Sequence, residues 1–263
     1  MLRAGIAVAS AVVMTWLFIG AARAGELVEF SNVSGHSWPS RLRGYLARPD
    51  GEGLFPAVVV LHGCNGISGA SIGLADRLSS LGYVGLTVDS LGPRSSATEC
   101  GQFFLGQEID AYAGLHYLSQ QPFVDAERVA VLGNSMGGSS ALFAVDRGGV
   151  ERMFGRKFRA AIAYYPYCRN HLGVMTIPTL ILIGEADDWN SAAACREMVE
   201  RPRTEGAKVD LHTYPGAHHG FNFRELETGK RVLGHWLEYN EPAATDAWGK
   251  VRAFLTENLG KFP

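Results

Sequence analysis

Hydrophobic positions along this chain follow two rhythms. Residues 57–61, Ala-Val-Val-Val-Leu, form an unbroken aliphatic run, as expected of a strand buried on both faces of a parallel sheet. Residues 84–88, 129–132, 160–165, 179–183 and 209–214 repeat that character. Before them, residues 27–33 and 42–48 alternate and lead into the turn Pro49-Asp-Gly-Glu-Gly53, a pattern that predicts an opening hairpin. Helical stretches are predicted between and after the strands, over 72–81, 107–119, 136–146, 192–201 and 243–259. Strands alternating with helices predict an α/β fold, a doubly wound and mostly parallel sheet flanked by helices. No repeat, low-complexity tract or Pro/Ser-rich linker divides residues 25–263, which are therefore expected to form one domain.

The first residues read differently. Met1-Leu-Arg3 precedes an apolar run through Ile19 and then Ala22-Arg-Ala24. This predicts a secretory signal peptide over residues 1–24. A membrane anchor is the alternative, since the run is nearly long enough to span. The small residues of the cleavage pattern favour removal after Ala24, giving an exported, periplasmic or secreted protein without stable membrane insertion.

Export changes the meaning of the four cysteines, because an oxidising compartment permits disulfides and an even count leaves no odd thiol. Three pairings can be drawn. Cys64 with Cys100 and Cys168 with Cys195 would each join loops at one end of the sheet. Zinc is disfavoured, because no Cys-x-x-Cys occurs and the spacing fits no common module. With 24 Lys and Arg against 26 Asp and Glu, and no basic cluster interleaved with aromatics, nucleic acid is not an expected partner. A monomer or small homo-oligomer is expected.

Candidate chemistry starts at Gly133-Asn-Ser135-Met-Gly137, which follows the run at 129–132. A nucleophilic serine must project from a tight turn between strand and helix, and flanking glycines leave room for that turn. The backbone N–H of Met136 would open the following helix and face a developing oxyanion. A serine alcohol needs a histidine base and an orienting carboxylate, in the chain order serine, acid, histidine. Asp187 lies just beyond the run at 179–183, and His219 lies in the turn after 209–214. Their neighbours Asp188 and His218 are the alternatives, Asp188 also as a cap for the helix near Ser191. All three groups would meet at the carboxyl ends of parallel strands, where ligands bind in such sheets. The segment His62-Gly63-Cys64-Asn65-Gly66 ends the first central strand, and the Cys64 N–H is the candidate second oxyanion donor. Its thiol is a competing nucleophile unless a disulfide removes it. His62, His116, His171, His212 and His235 are expected in structural or surface roles. Trp189, Tyr165 and Tyr167 sit in loops at the same rim, either lining an acyl pocket or packing on one another.

His62-Gly63-Cys64, Asp89-Ser-Leu-Gly-Pro-Arg94, Gly133-Asn-Ser135-Met-Gly-Gly138, Gly184-Glu-Ala-Asp187 and Ala217-His-His219-Gly-Phe221 together resemble the dienelactone hydrolase family of α/β-hydrolases. The resemblance covers nearly all of residues 25–263. It implies an eight-stranded core, no metal or organic cofactor, and hydrolysis of a small ester or lactone. The family's named enzymes carry cysteine at the elbow and are cytoplasmic; this chain has Ser135 and a predicted export signal. The resemblance assigns Arg94 to a substrate carboxylate, which would make the substrate anionic; the alternative is an ion pair with a loop carboxylate such as Glu99. The family's second arginine position is Phe223 here, with Arg224 one later. Serine peptidase, acyltransferase and a silent hydrolase fold used for binding are the competing functions.

Overall fold

The computed structural model describes residues 25–33, 39–94, 100, 106–169 and 171–260; the expected signal peptide and Glu99 lie outside the described residues. Ten strands and five helices are described: β1 (Glu26–Ser31), β2 (Arg41–Ala47), β3 (Phe55–Leu61), α1 (Gly69–Ser79), β4 (Val84–Asp89), α2 (Gln107–Ser119), β5 (Val124–Asn134), α3 (Met136–Phe143), β6 (Ala160–Tyr164), β7 (Thr179–Gly184), α4 (Ala192–Glu200), β8 (Val209–Tyr214), β9 (Lys230–Val232), β10 (His235–Leu237) and α5 (Glu241–Leu259). Eight strands make one sheet in the order β1-β2-β4-β3-β5-β6-β7-β8. β1 with β2 and β2 with β4 are antiparallel, and every later pair is parallel. This is the α/β-hydrolase sheet.

The burial of each strand follows its composition. β3, β6 and β7 are buried at every position, which matches their unbroken apolar runs, whereas the edge strand β1 is mostly exposed. Helix starts are fixed by side chains. Ser68 and Ser71 form a reciprocal capping box on α1, Ser191 accepts from the Ala194 N–H at α4, and Asn240 does the same for Ala243 at α5. Each satisfies backbone donors that the helix itself cannot. Ser191, not Asp188, caps α4.

Glycine is required where strands and loops touch. A Cβ on Gly137 would collide with the carbonyls of Leu61 and His62, and one on Gly184 with that of Ala217. The first contact seats α3 against the end of β3; the second seats the loop after β7 against the loop after β8. Among the described residues no helix is long and apolar enough to cross a membrane. The remaining strands, β9 and β10, form a separate two-stranded hairpin.

Candidate active site

Four parallel strands deliver the candidate residues to one rim. β5 ends at Asn134 and Ser135 follows in a strained conformation, φ 55° and ψ −116°. A non-glycine residue held there costs energy that the surrounding packing must supply. The Gly133 and Gly137 positions show how: a Cβ on Gly133 would land on the backbone carbonyl of residue 137, and one on Gly137 on the carbonyls of Leu61 and His62, so each position requires glycine for its own contact.

Asp187 lies three residues beyond β7. Its Oδ1 accepts the backbone N–H groups of Trp189 (2.9 Å) and Asn190 (2.8 Å), which leaves Oδ2 aimed at His219. The loop carrying His219 is tied to the acid loop by Ala186 N–H donating to the Ala217 carbonyl. His219 Nδ1 stands 2.8 Å from Asp187 Oδ2 and its Nε2 stands 2.8 Å from Ser135 Oγ. A carboxylate only accepts, so Nδ1 carries the proton and Nε2 is free to receive one from the serine hydroxyl. Asp187 and His219 are both buried.

Aromatic rings close around the imidazole. Tyr165 is fully buried, with its ring centroid 4.6 Å from that of His219. Its hydroxyl donates to Asn222 Oδ1 at 2.7 Å and its carbonyl accepts from Asn190 Nδ2 at 2.8 Å. Burial pushes this phenol well above its ordinary pKa, so it remains a hydrogen-bond donor. Trp189 lies on another side, 5.1 Å from His219 between centroids. Tyr167 does not line the cleft; its N–H donates to Ser139 Oγ.

The loop after β3 approaches the serine. A Cβ on Gly63 would lie 3.9 Å from Ser135 Cβ. His62 anchors this loop: its Nε2 accepts the Ser90 N–H at 3.1 Å, so its Nδ1 donates to the Gly63 carbonyl at 2.7 Å. Burial pushes the His62 pKa down, consistent with a neutral ring. Met136 is the first residue of α3, where an N–H has no intrahelical acceptor. Cys64 and Cys100 form a disulfide, as do Cys168 and Cys195. Cys64 and Cys100 line the cleft beside Ser135, with the Cys64 sulfur held in the bridge.

Other sequence-selected residues sit elsewhere. Arg94 does not line the cleft. Its guanidinium is buried and meets Asp110 twice, at 2.8 and 2.9 Å, with a further bond to the Ser90 carbonyl. The fork expected at a substrate carboxylate is thus taken up by an internal one, and that partner is on α2. Asp188 accepts the Trp236 N–H, and His218 lies 4.0 Å from Glu238; neither enters the Ser135–His219–Asp187 chain. Arg224 is exposed and paired with Glu227.

The cleft has a volume of about 220 Å³, and its walls include Ser135, His219, Trp189, Phe223, Val232 and Leu237. Val232 and Leu237 are not among the candidates that the sequence suggests, because β9 and β10 are three residues long and the Leu233-Gly234 turn between them lacks the Asn-Gly or Asp-Gly doublet that marks a hairpin. Among the described residues, no three His, Cys, Asp or Glu side chains are grouped to hold a metal ion.

An eight-stranded, mostly parallel sheet with serine, histidine and aspartate gathered past its strand ends defines the α/β-hydrolase class. The model of the dienelactone hydrolase family matches residues 42–259, and the chain belongs to that family. A Bradyrhizobium protein named "probable 2-oxo-3-(5-oxofuran-2-ylidene)propanoate lactonase" is 27% identical over 244 residues, covering 86% of this chain and 92% of that protein. Among solved structures, a dienelactone hydrolase-like promiscuous phosphotriesterase from metagenomic libraries superposes with a TM-score of 0.71 at 21% identity, covering 90% of this chain and all of that one. A propionate-bound esterase from Thermogutta terrifontis gives 0.66 at 17%, covering 91% and 96%. The chain is a hydrolase acting on ester bonds.

Proposed function

We propose that this protein is an exported serine carboxylesterase or lactonase that hydrolyses small esters through an acyl-enzyme. The observation that carries this reading is the pair of 2.8 Å contacts linking Asp187, His219 and Ser135 at the wall of the cleft. His219 Nε2 takes the proton as Ser135 Oγ attacks the carbonyl carbon. Asp187 holds the imidazole in the required tautomer and stabilises its charged form. The N–H groups of Met136 and Cys64 receive the oxyanion, each such donor contributing about 10²–10³ in rate. His219 then protonates the departing alkoxide. Water, deprotonated by the same nitrogen, releases the acid and restores Ser135. In a lactone the alkoxide stays tethered and the product is one hydroxy acid.

The lactonase name of the Bradyrhizobium relative supports including lactones among the substrates. Export rests on the predicted signal over residues 1–24 and on two disulfides, which persist in oxidising compartments.

Ser135→Ala tests the mechanism. Turnover of p-nitrophenyl acetate is expected to fall by about 10⁶, the scale for loss of a triad nucleophile, together with fluorophosphonate labelling. A folded Ser135→Ala protein that labels like wild type would remove Ser135 from the nucleophile's role.

A further inference from the structure

The β9–β10 hairpin touches the reacting groups more closely than its short strands suggest. Its two-residue turn places Leu233 at φ 49° and Gly234 at φ 89°, the left-handed pair of a tight hairpin. His235 pairs with Val232, Trp236 with Arg231, and Leu237 with Lys230. Side chains alternate across such a ribbon, so Lys230, Val232, His235 and Leu237 share one face. Lys230, Val232 and Leu237 line the cleft, and His235 stacks on Trp189 at 4.7 Å and 18°. The opposite face carries Trp236 with the Arg231 guanidinium 5.7 Å from its ring.

A ribbon of six strand residues does not hold its position alone. Two attachments supply what it lacks. The Asp188 carboxylate accepts the Trp236 N–H at 3.2 Å and lies 3.5 Å from His235 Nδ1. One residue further, the backbone of Leu237 is bridged to that of His219. Adjacent aspartates therefore divide the work: Asp187 orients the imidazole ring, and Asp188 docks a strand along the backbone that carries it.

We propose that Asp188 is the positioning residue of this hairpin, and that Val232 and Leu237 form the wall that restricts the enzyme to short-chain esters. The proposal rests on the serine-esterase reading and adds to it a specificity determinant. With the wall docked, a long apolar chain meets Val232 and Leu237; with the wall displaced or trimmed, it is admitted.

The test compares kcat/KM for p-nitrophenyl octanoate with that for the acetate in the full chain. Val232→Ala and Leu237→Ala are each expected to raise the octanoate-to-acetate ratio about tenfold, the scale of a few methyl groups in an apolar site. Asp188→Ala should raise it similarly, whereas Asp188→Asn, which keeps an oxygen acceptor for Trp236 N–H, should return the wild-type ratio. A merely structural role would lower both substrates together and leave the ratio fixed. Fluorophosphonate labelling of Ser135 is followed throughout. Labelled proteins whose ratio does not move overturn the hairpin proposal alone; a wild type that neither labels nor turns over ester removes the esterase reading and this proposal with it. If Asp188→Ala does not fold, the two wall variants still decide, and an unchanged ratio in both overturns the proposal.

Discussion

Arg94 and Asp110 are the most consequential pair outside the reacting groups, because both side chains are almost fully buried. A buried ion pair adds little net stability, yet removing one partner strands the other charge at a cost of about 3–5 kcal/mol. Arg94→Ala is therefore expected to lower the thermal unfolding midpoint sharply while leaving the preference between carboxylated and neutral esters unchanged. A selective loss on carboxylated esters in the folded variant would return Arg94 to the substrate. His62 carries a second prediction. Burial holds its folded pKa below the ordinary 6.5, so the unfolded chain binds more protons once the pH drops under that value. Its stabilising contribution is complete above about pH 6.5 and is lost as the pH falls toward the depressed folded value. His62→Gln keeps an acceptor for Ser90 N–H without the titration, so acidification should cost the wild type more unfolding midpoint than the variant. The convergence of Ser135, Asp187 and His219 was legible because nucleophilic chemistry restricts residue type, chain order and strand-end placement together. The Arg94 partner was not. Gln107, Glu108 and Asp110 are all buried on α2, and a polar residue buried by its partner looks in sequence like one facing water.

A long apolar run in the sequence marks its element close to the true extent, and an element defined by local pairing carries no such mark. The eight strands of the main sheet correspond to eight predicted runs, and α2 spans the predicted 107–119. β5 begins at Val124 instead of residue 129, since Asp125, Glu127 and Arg128 interrupt the apolar run and only the pairing of Val124 with Phe55 extends the ladder. α1 begins at Gly69, three residues early, because the Ser68–Ser71 capping box organises a first turn without apolar periodicity. The β9–β10 hairpin leaves no pattern in the sequence, its three-residue strands being too short to show a period of two. That hairpin also stores removable strain. Leu233 occupies the left-handed region and is 63% exposed, so it bears a steric cost of about 1 kcal/mol with little burial in return. Asparagine is preferred at that position of such a turn. Leu233→Asn should raise the thermal midpoint by about 2–4 °C, the shift expected of ~1 kcal/mol in a chain of this size. A lower midpoint would mean that the exposed leucine makes a stabilising contact.

At the scale of the whole molecule, the two disulfides connect the place of folding to the function. One joins two loops at the cleft and the other joins a loop to α4, and they lie at different depths. Cys64 and Cys100 line the cleft itself. Cys168 and Cys195 are buried in the hydrophobic core behind it, tying the segment after β6, which begins with Tyr165, to α4. Each bridge closes a loop, with separations of 36 and 27 residues, for which chain entropy gives about 3–4 kcal/mol. Similar loop lengths predict similar losses of stability, so location must separate their effects on catalysis. Replacing Cys168 and Cys195 by serine is expected to lower the unfolding midpoint while leaving kcat near wild type wherever the protein remains folded, because Asp187 and His219 stay linked through their own loops. Replacing Cys64 and Cys100 should lower stability comparably and reduce kcat more than it raises KM, because the loop bearing the Cys64 N–H loses its covalent tie next to Ser135. Thermal unfolding paired with kcat and KM at a temperature where all variants are folded resolves the two cases. Equal kcat losses from both replacements would mean that the cleft bridge acts only on stability, and that the loop after β3 is held in place by His62 and Gly63.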